Sequence, residues 1–288
     1  MIITVGIVIV CACVFGGFVF GGGHLLVLIH PNELIIIGGG ALGSLVIMSP
    51  RKVLMDIFKG LATCMKGAPH NRAAYEDLLK VLYELFLIGR RNGMIALEEH
   101  VLDPANSSIF KKYPLFTNNK DAVQFLCGSL RPIIDGKIKP DQLRLLLDTE
   151  IEQLEVEAHA PINVLGKTAD SMPGFGIVAA VLGIIITMAS IAGPVEQIGV
   201  EVAAALVGTF LGILLAYGFL NPLATNLEFI TAAEIEYIKC IASCVIGFAG
   251  GMAPVTAVEL GRRGLNSELR PSADEMEEMF KSVKLEAK

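Results

Sequence analysis

The chain has 288 residues, a net charge of −6 and a mean hydropathy of +0.61, and 53 % of its residues are hydrophobic. This composition is too apolar for a single water-soluble domain, and the 18 % of charged residues exclude a protein made only of membrane spans. We therefore expect a membrane protein with substantial parts outside the lipid.

Lysine and arginine are concentrated in two blocks. None occurs in residues 1–50 or 168–238, whereas 16 occur from Arg51 to Lys167 and seven from Lys239 onward. Because these residues stay on the cytoplasmic side of a membrane, both blocks and both termini are predicted to be cytoplasmic. The chain must then cross the membrane twice before the first block and twice more before the second.

Residues 1–50 are predicted to form the first transmembrane hairpin. Residues 1–20 lack the positively charged start of a signal peptide, and no clear cleavage site follows them, so we expect them to be retained as a span. An outer loop near Gly21–Glu33 leads into the second span, Leu34–Pro50.

The second span contains a glycine-rich stretch with two possible interpretations. Gly38–Gly43 has the G-x-G-x-x-G spacing of a dinucleotide-binding loop, but the required βαβ unit and later acidic residue are not visible. Gly39 and Gly43 instead form the small-xxx-small pattern of packed transmembrane helices, which recurs at Gly208 and Gly212. We therefore expect helix packing here.

Residues 51–170 are predicted to form a helical cytoplasmic domain between the second and third spans. Two segments, 73–101 and 140–160, have the periodicity of amphipathic helices. Turn-forming residues separate them at Asp103–Ser108 and Asp135–Pro140. The apolar face of the first comprises Leu78, Leu82, Leu85 and Phe86, and that of the second comprises Leu143, Leu146, Leu147, Ile151 and Leu154.

Residues 171–222 are predicted to form the second transmembrane hairpin. No charged residue occurs in the 25 positions after Asp170 or in the 26 positions after Glu201. Each run exceeds the roughly 20 residues that a helix needs to cross a bilayer. A short outer loop near Gly193–Glu201 joins the two spans.

Proline marks both ends of this hairpin. We expect Ser171 and Pro173 to begin the third span, as a capping residue and a first-turn proline. Pro222 cannot continue the helical hydrogen bonds, so it is expected to end or kink the fourth span. Both prolines then lie at the same membrane face.

Residues 223–288 are predicted to be cytoplasmic helices. The uncharged run Cys240–Val258 could be a fifth span, but this would place the later arginines outside, and its glycines and Pro254 weaken a membrane helix. All six cysteines lie in spans or cytoplasmic segments, so no disulfides are expected. Cys240 and Cys244 lack the second ligand pair that a zinc site needs.

The chain shows no pattern typical of an enzyme, a metal site, a cofactor site or a nucleic-acid-binding protein. By this assignment none of the spans has a charged side chain in its interior, although an ion path through lipid usually depends on one. A partner would therefore have to supply that group, with Thr187, Thr209 and Tyr217 of this chain as polar lining. The alternative is that Thr209 only bonds a carbonyl of its own helix.

A charged cluster surrounds the predicted turn at Gly93. Its members are Arg90, Arg91, Glu98, Glu99 and His100. The cluster is either a solvated helix end or a docking surface for an oppositely charged partner.

Several stretches closely resemble the MotA family of flagellar motor stator subunits. They read PGFGIVAAVLG, LVGTFLGILLAYGFLNPLAT, AVELGRR and IGRRNGMIALE. The resemblance covers essentially the whole chain and is most specific in the third and fourth spans. It implies an all-α membrane protein with four spans, an inserted helical cytoplasmic domain and a helical cytoplasmic carboxyl-terminal segment.

The resemblance also implies partners. In this family five subunits surround two copies of MotB, a single-span protein whose transmembrane aspartate carries the proton. The complex lies in lipid in the bacterial inner membrane and acts on the rotor protein FliG. Protons are the expected ion, and sodium-driven relatives share the architecture.

The resemblance assigns roles to individual residues. Pro173 and Pro222 couple proton movement to conformational change, and Thr209 and Tyr217 lie toward the path. The positions expected to meet FliG are Arg90, with Arg91 as its alternative, Glu98 and Glu150.

Two other functions stay open at this point. An ExbB- or TolQ-like proton-channel subunit would energise an outer-membrane process, but such chains usually have three spans. A membrane scaffold without ion flow would tolerate Leu or Val in place of the polar residues of the third and fourth spans.

Overall fold

The computed structural model describes residues 2–67, 70–189, 191–192 and 194–283, without the side chains of residues 66 and 197. All regular elements of this part of the chain are helical, as predicted. The α-helices are Ile2–Phe20 (α1), Pro31–Met48 (α2), Arg51–Lys66 (α3), Arg72–Asn92 (α4), Met94–Leu102 (α5), Pro114–Thr117 (α6), Lys120–Ile134 (α7), Pro140–Ala189 (α8), Val195–Ile213 (α9), Asn221–Ala249 (α10), Pro254–Arg263 (α11) and Ala273–Ser282 (α12). Short 3₁₀ turns occur at Leu25–Leu28 and Phe110–Lys112, and a π-helical segment at Leu214–Leu220.

The chain forms two compact units. The first comprises residues 1–67 and 157–231, and the second comprises residues 68–156 and 232–288. The α8 and α10 helices each contribute residues to both units. The domain boundaries expected at residues 50, 170 and 222 stay predictions, because compactness does not mark where lipid begins.

Four helical segments of the described chain are long and apolar enough to cross a membrane, in agreement with the four predicted spans. They are Ile2–Phe20, Leu25–Met48, Pro140–Ala189 and Ile198–Ala249.

The two predicted outer loops, near Gly21–Glu33 and Gly193–Glu201, include residues that are helical in the structure. The α2 helix begins at Pro31, where a missing N–H costs nothing, so Glu33 lies in its first turn and not in a loop. The α9 helix begins at Val195, and Glu196 in its first turn complements the positive helix end. Residues 195–201 are therefore helical, and Gly193 lies outside the described residues.

The predicted helix start at Ser171 and Pro173 is wrong, whereas the point at which the third span enters the lipid stays a prediction. Both residues lie inside α8, a single helix of 50 residues. The Ser171 hydroxyl donates to the Thr168 carbonyl at 2.7 Å and caps no new helix. One interior proline removes a single backbone donor, so the surrounding turns can hold the helix together.

Glycines bring α8 and α9 into backbone contact within the first unit. A Cβ atom added to Gly176 would lie 2.8 Å from the Gly208 carbonyl oxygen, and one added to Gly212 would lie 2.7 Å from the Met172 carbonyl oxygen. Further along, a Cβ on Gly183 would lie 2.9 Å from the Ala205 Cβ. The predicted packing role of Gly208 and Gly212 is confirmed.

The predicted packing role of Gly39 and Gly43 in the second span fails within this chain. A Cβ added to Gly39 or Gly43 would meet no described atom within 4 Å. It is Gly40 that makes the close approach, because its added Cβ would lie 2.5 Å from Cδ1 of Phe175 on α8. Spacing alone identified the pattern but not which glycine faces a neighbour.

The second unit has a continuous hydrophobic core around α4. The four residues predicted as the apolar face of this helix, Leu78, Leu82, Leu85 and Phe86, are all fully buried. The Phe86 ring stacks on Phe248 of α10 at 4.4 Å, and the Tyr83 ring stacks on Phe280 of α12 at 4.0 Å. The uncharged run 240–258 contributes to this core as well, through Ile241, Cys244 and Val258.

The predicted face of the second amphipathic helix is only partly correct. Leu143, Leu147 and Ile151 are buried, whereas Leu146 and Leu154 are exposed. Positions spaced by four form a narrow stripe along α8, and the two exposed leucines lie beside it.

The AVELGRR stretch forms an ion-pair cluster in α11. Glu259 accepts two hydrogen bonds from Arg262, at 2.6 and 2.8 Å, and one from Arg263 at 2.7 Å. These bonds, chiefly that of Arg262, hold the pKa of Glu259 at about 2. Arg262 also donates to the Pro271 carbonyl oxygen at 2.6 Å. The motif therefore ties α11 to the segment before α12.

The backbone contact between α8 and α9 predicts a specific sensitivity at Gly212. We expect Gly212→Ala to destabilise the chain by about 1–3 kcal/mol, because the added methyl group meets backbone atoms that cannot rotate away. The measurement is the thermal unfolding midpoint of the purified full chain in detergent. Gly39→Ala is the matched control, and it should leave the midpoint unchanged or slightly raised. Equal midpoints for the two variants would contradict this account of the packing.

Candidate ion path and charged corner

The two prolines expected to act in coupling lie at the same level of the first unit. The Asn221 side-chain amide donates to the Asp170 carboxylate at 3.2 Å. Pro222 follows Asn221 directly, and Pro173 lies three residues after Asp170. The structure therefore brings together the proline regions of α8 and α10.

The helix does not end at Pro222, but the turns before it are widened. Leu214–Leu220 is π-helical, and the Asn221 N–H donates to the Ala216 carbonyl five residues back. A proline offers no N–H to the carbonyl four residues earlier, and its ring crowds that carbonyl. A wider turn is one way to accommodate both effects, and such π segments are frequent at functional sites.

Tyr217 and Thr209 are available for contacts beyond this chain. Tyr217 lies within the π-helical segment and is 60 % exposed. Thr209 is half-buried, and its hydroxyl makes no hydrogen bond to any described residue. The structure thus provides no bond from Thr209 to its own helix among the described residues, and the place of Thr209 on the ion path stays a prediction.

Thr187 differs from Thr209 both in its burial and in its hydrogen bonding. Its side chain is fully buried, and its hydroxyl donates to the Gly183 carbonyl at 2.9 Å within the same helix. The prediction that Thr187 is polar lining is therefore wrong, because its hydrogen bond is already made and no surface is left.

Glu33 is an acidic residue of the second candidate span that the sequence placed in a loop. The predicted span interiors carry no charge, yet Glu33 is only 7 % exposed and packs beside Gly208 of α9. Pro31 with an acid two residues later is a typical helix-start signal and would have placed Glu33 inside the second span.

The charged corner consists of Arg90, Arg91 and Glu98 around the turn between α4 and α5 in the second unit. Both arginines are exposed and Glu98 is half-buried. None of the three makes an ion pair with a described residue, so their charges remain available to a partner. Arg90 and Arg91 are alike in being exposed and in having no ion pair with a described residue.

The backbone at Gly93 holds this corner in place. Gly93 has φ 87° and ψ 169°, a conformation that is open essentially to glycine alone. It allows α5 to start directly after α4, and the fully buried Leu97 anchors α5 to the core. The charged residues thus lie at a turn whose second helix is anchored to the core.

Glu150 lies apart from the corner in a cleft of about 600 Å³ in the same unit. It is exposed on α8 and shares the cleft with Val101 of α5 and with Lys120 and Arg131 of α7. The three predicted docking residues therefore occupy one corner and one neighbouring cleft of the second unit.

Comparison with known proteins decides the family. Residues 4–93 match the family "Motility protein A N-terminal", and residues 118–239 match the "MotA/TolQ/ExbB proton channel family". Motility protein A of Salmonella typhimurium is 40 % identical over 284 residues, which cover 99 % of this chain and 96 % of that protein. The chain belongs to the motility protein A family.

Other relatives of this chain agree with the family assignment. Motility protein A of Escherichia coli is also 40 % identical over 99 % of this chain and 96 % of its own length. Chemotaxis protein LafT of Vibrio parahaemolyticus is 35 % identical over 94 % of this chain and 95 % of that protein.

Solved structures share the fold. The MotAB structure of C. jejuni superposes with a TM-score of 0.77 at 22 % identity, covering 94 % of this chain and 98 % of that one. The flagellar MotAB stator complex of Bacillus subtilis superposes with a TM-score of 0.73 at 23 % identity, covering 95 % and 97 %. The described part of the chain thus has the same fold as those two chains.

Proposed function

We propose that this chain is a stator subunit of the bacterial flagellar motor, which conducts protons together with a MotB partner and converts their flow into torque. The observation that carries this proposal is the full-length match to motility protein A, including the amino-terminal region. That region also speaks against an ExbB- or TolQ-like role, since the match over residues 4–93 is to the motility branch. The role is one of transport and force, not of catalysis.

In the proposed arrangement the chain crosses the inner membrane four times, with both termini in the cytoplasm. Residues 51–170 form the inserted cytoplasmic domain, and residues 223–288 add helices to it. The support is the segregation of lysine and arginine together with the four candidate spans.

Five copies of the chain would surround two MotB copies in lipid. The exposed apolar residues of α1 and α2 suit a lipid-facing position. The exposed Tyr217 and the unbonded Thr209 suit a position facing the partner span, whose aspartate carries the proton. Coupling to protons, and not to sodium, is part of the proposal.

Proton movement would act on the proline region. A unit charge that crosses 100 mV provides about 2.3 kcal/mol. Protonation changes the cost of burying the partner's carboxylate and therefore favours a different packing around Pro173 and Pro222. The π-helical segment before Pro222 supports this, because a segment between two hydrogen-bonding registers can shift at small cost.

The charged corner would transmit the motion to FliG. Arg90 or Arg91 and Glu98 supply charges without a described partner, and Glu150 offers a further acidic contact from its cleft. Complementary charge between this corner and FliG would speed their association and fix their relative orientation.

The first test is a deletion strain of the source cell. We expect assembled but motionless flagella, with rotation restored when this gene is returned. Normal rotation in the deletion strain would refute the stator role, and loss of uptake across the outer membrane would then point to an ExbB- or TolQ-like protein.

Thr209 is predicted to line the path. In the complemented strain, Thr209→Val should lower torque clearly while the amount of protein in the membrane stays constant, because the hydroxyl is replaced by a methyl group of the same shape. Thr187→Val is the matched control, since the Thr187 hydroxyl bonds its own helix. Undiminished torque in Thr209→Val would remove this residue from the path.

The charged corner is predicted to dock on the rotor. The double variant Arg90→Glu and Glu98→Lys should abolish rotation and leave membrane assembly intact, and Arg91→Glu tests the second arginine separately. Bead-rotation assays measure the torque. A charge swap on an exposed turn, Asp135→Lys with Lys137→Asp, is the control and should rotate normally. Normal swimming of the corner variant would overturn the docking assignment.

A further inference from the structure

Glu33 is a carboxyl group buried within a candidate span. It lies in the first turn of α2, is 7 % exposed, and its Oε2 atom is buried without a hydrogen-bond partner among the described residues. Acidic residues inside spans are rare and usually mark ion paths. This feature therefore needs an explanation that packing alone does not provide.

Glu33 packs against α9 at Gly208. A Cβ added to Gly208 of α9 would lie 3.4 Å from the Glu33 Cγ and 3.1 Å from the Ala179 Cβ of α8. The Glu33 side chain thus lies where α2 packs on α9, beside Gly208, which directly precedes Thr209. Gly208 lies 13 residues after Val195, the start of α9, which is about 20 Å along a helix. Glu33 is in the first turn of its own helix but packs well inside α9 and not at its start.

A purely structural acid would be expected to be paired. Burying a polar group without a hydrogen bond costs free energy, and an apolar side chain of similar size would fill the same space without that cost. No charged residue occurs on α8 between residues 171 and 189 or on α9 between residues 202 and 213. Along α2 and α9 the titratable groups that lie closest in sequence are His30, three residues before Glu33, and Glu201, about two helical turns before Gly208.

We propose that Glu33 is a proton-carrying site of this chain, a second carboxyl group on the ion path besides that of the MotB partner. This inference rests on the proposed function. Glu33 would take a proton from hydronium reaching it from the outer side, becoming a neutral carboxylic acid and leaving water. It would then give the proton to an ionised carboxylate further along the path and become charged again.

The proton suits this site better than a metal cation. Hard cations surround themselves with several oxygen ligands. The Glu33 side chain packs against Gly208, which has no side-chain oxygen, and the described residues contain no group of three or more metal-binding side chains. A single carboxyl group is sufficient to hold a proton.

Glu33→Gln is the decisive variant, because it keeps the shape and polarity of the side chain but cannot carry a proton. In the full complex, expressed with its partner in a stator-deletion strain, we expect proton flux and torque per stator unit to fall roughly tenfold or more, since a positioned proton-transfer group commonly contributes about 10²–10⁴. Glu33→Asp should retain part of both. The matched control is Glu196→Gln, which makes the same chemical change at an exposed position in the first turn of α9.

Wild-type flux and torque in Glu33→Gln would overturn the proposal. If the variant assembles poorly, infrared difference spectra of the purified wild-type and variant complexes, taken between mildly acidic and mildly alkaline buffer, provide a second test. The wild type should show a protonating carboxyl band that Glu33→Gln lacks, and identical spectra would overturn the proposal. A wild-type complex without flux or rotation would refute the stator function itself, whereas a working wild type with an equally active Glu33→Gln would refute only this inference.

Discussion

The backbone contact between α8 and α9 is the constraint on which the first unit depends. At Gly176 and Gly212 the two helices approach so closely that no side chain fits between them. Apolar burial gives little preference for one helix pairing in lipid, so close van der Waals contact and shape must select the partner surface. This contact also sets the position of Thr209, which lies on α9 between Gly208 and Gly212, the two glycines that contact α8.

Proline acts in this fold without breaking helices. Pro173 is accommodated inside α8, and Pro222 follows a π-helical segment within a helical run that continues to Ala249. The hydrogen bond between Asp170 and Asn221 holds the two regions side by side. Of the two proline regions, only that of Pro222 departs from regular α-helical hydrogen bonding, in the π-helical turns before it.

The second unit is built in the manner of a water-soluble domain. Its core surrounds α4, and stacked aromatic rings fasten α10 and α12 to that helix. Glycine at position 93 turns the chain sharply, so that Arg90, Arg91 and Glu98 project from a well-supported edge. These charged side chains lie at the surface, and the packing of the core beneath them determines their positions.

The sequence by itself determined the helical class, the four spans, the apolar face of α4 and the family, because hydropathy, periodicity and motifs are local properties of the chain. Only the tertiary structure decided which small residues meet, since Gly40 and not Gly39 or Gly43 faces a neighbour. It also decided that Thr187 is bonded within its helix while Thr209 is not, and that Glu33 is buried. Each of these depends on the rotation and depth of one helix against another, which a pattern along a single chain does not contain.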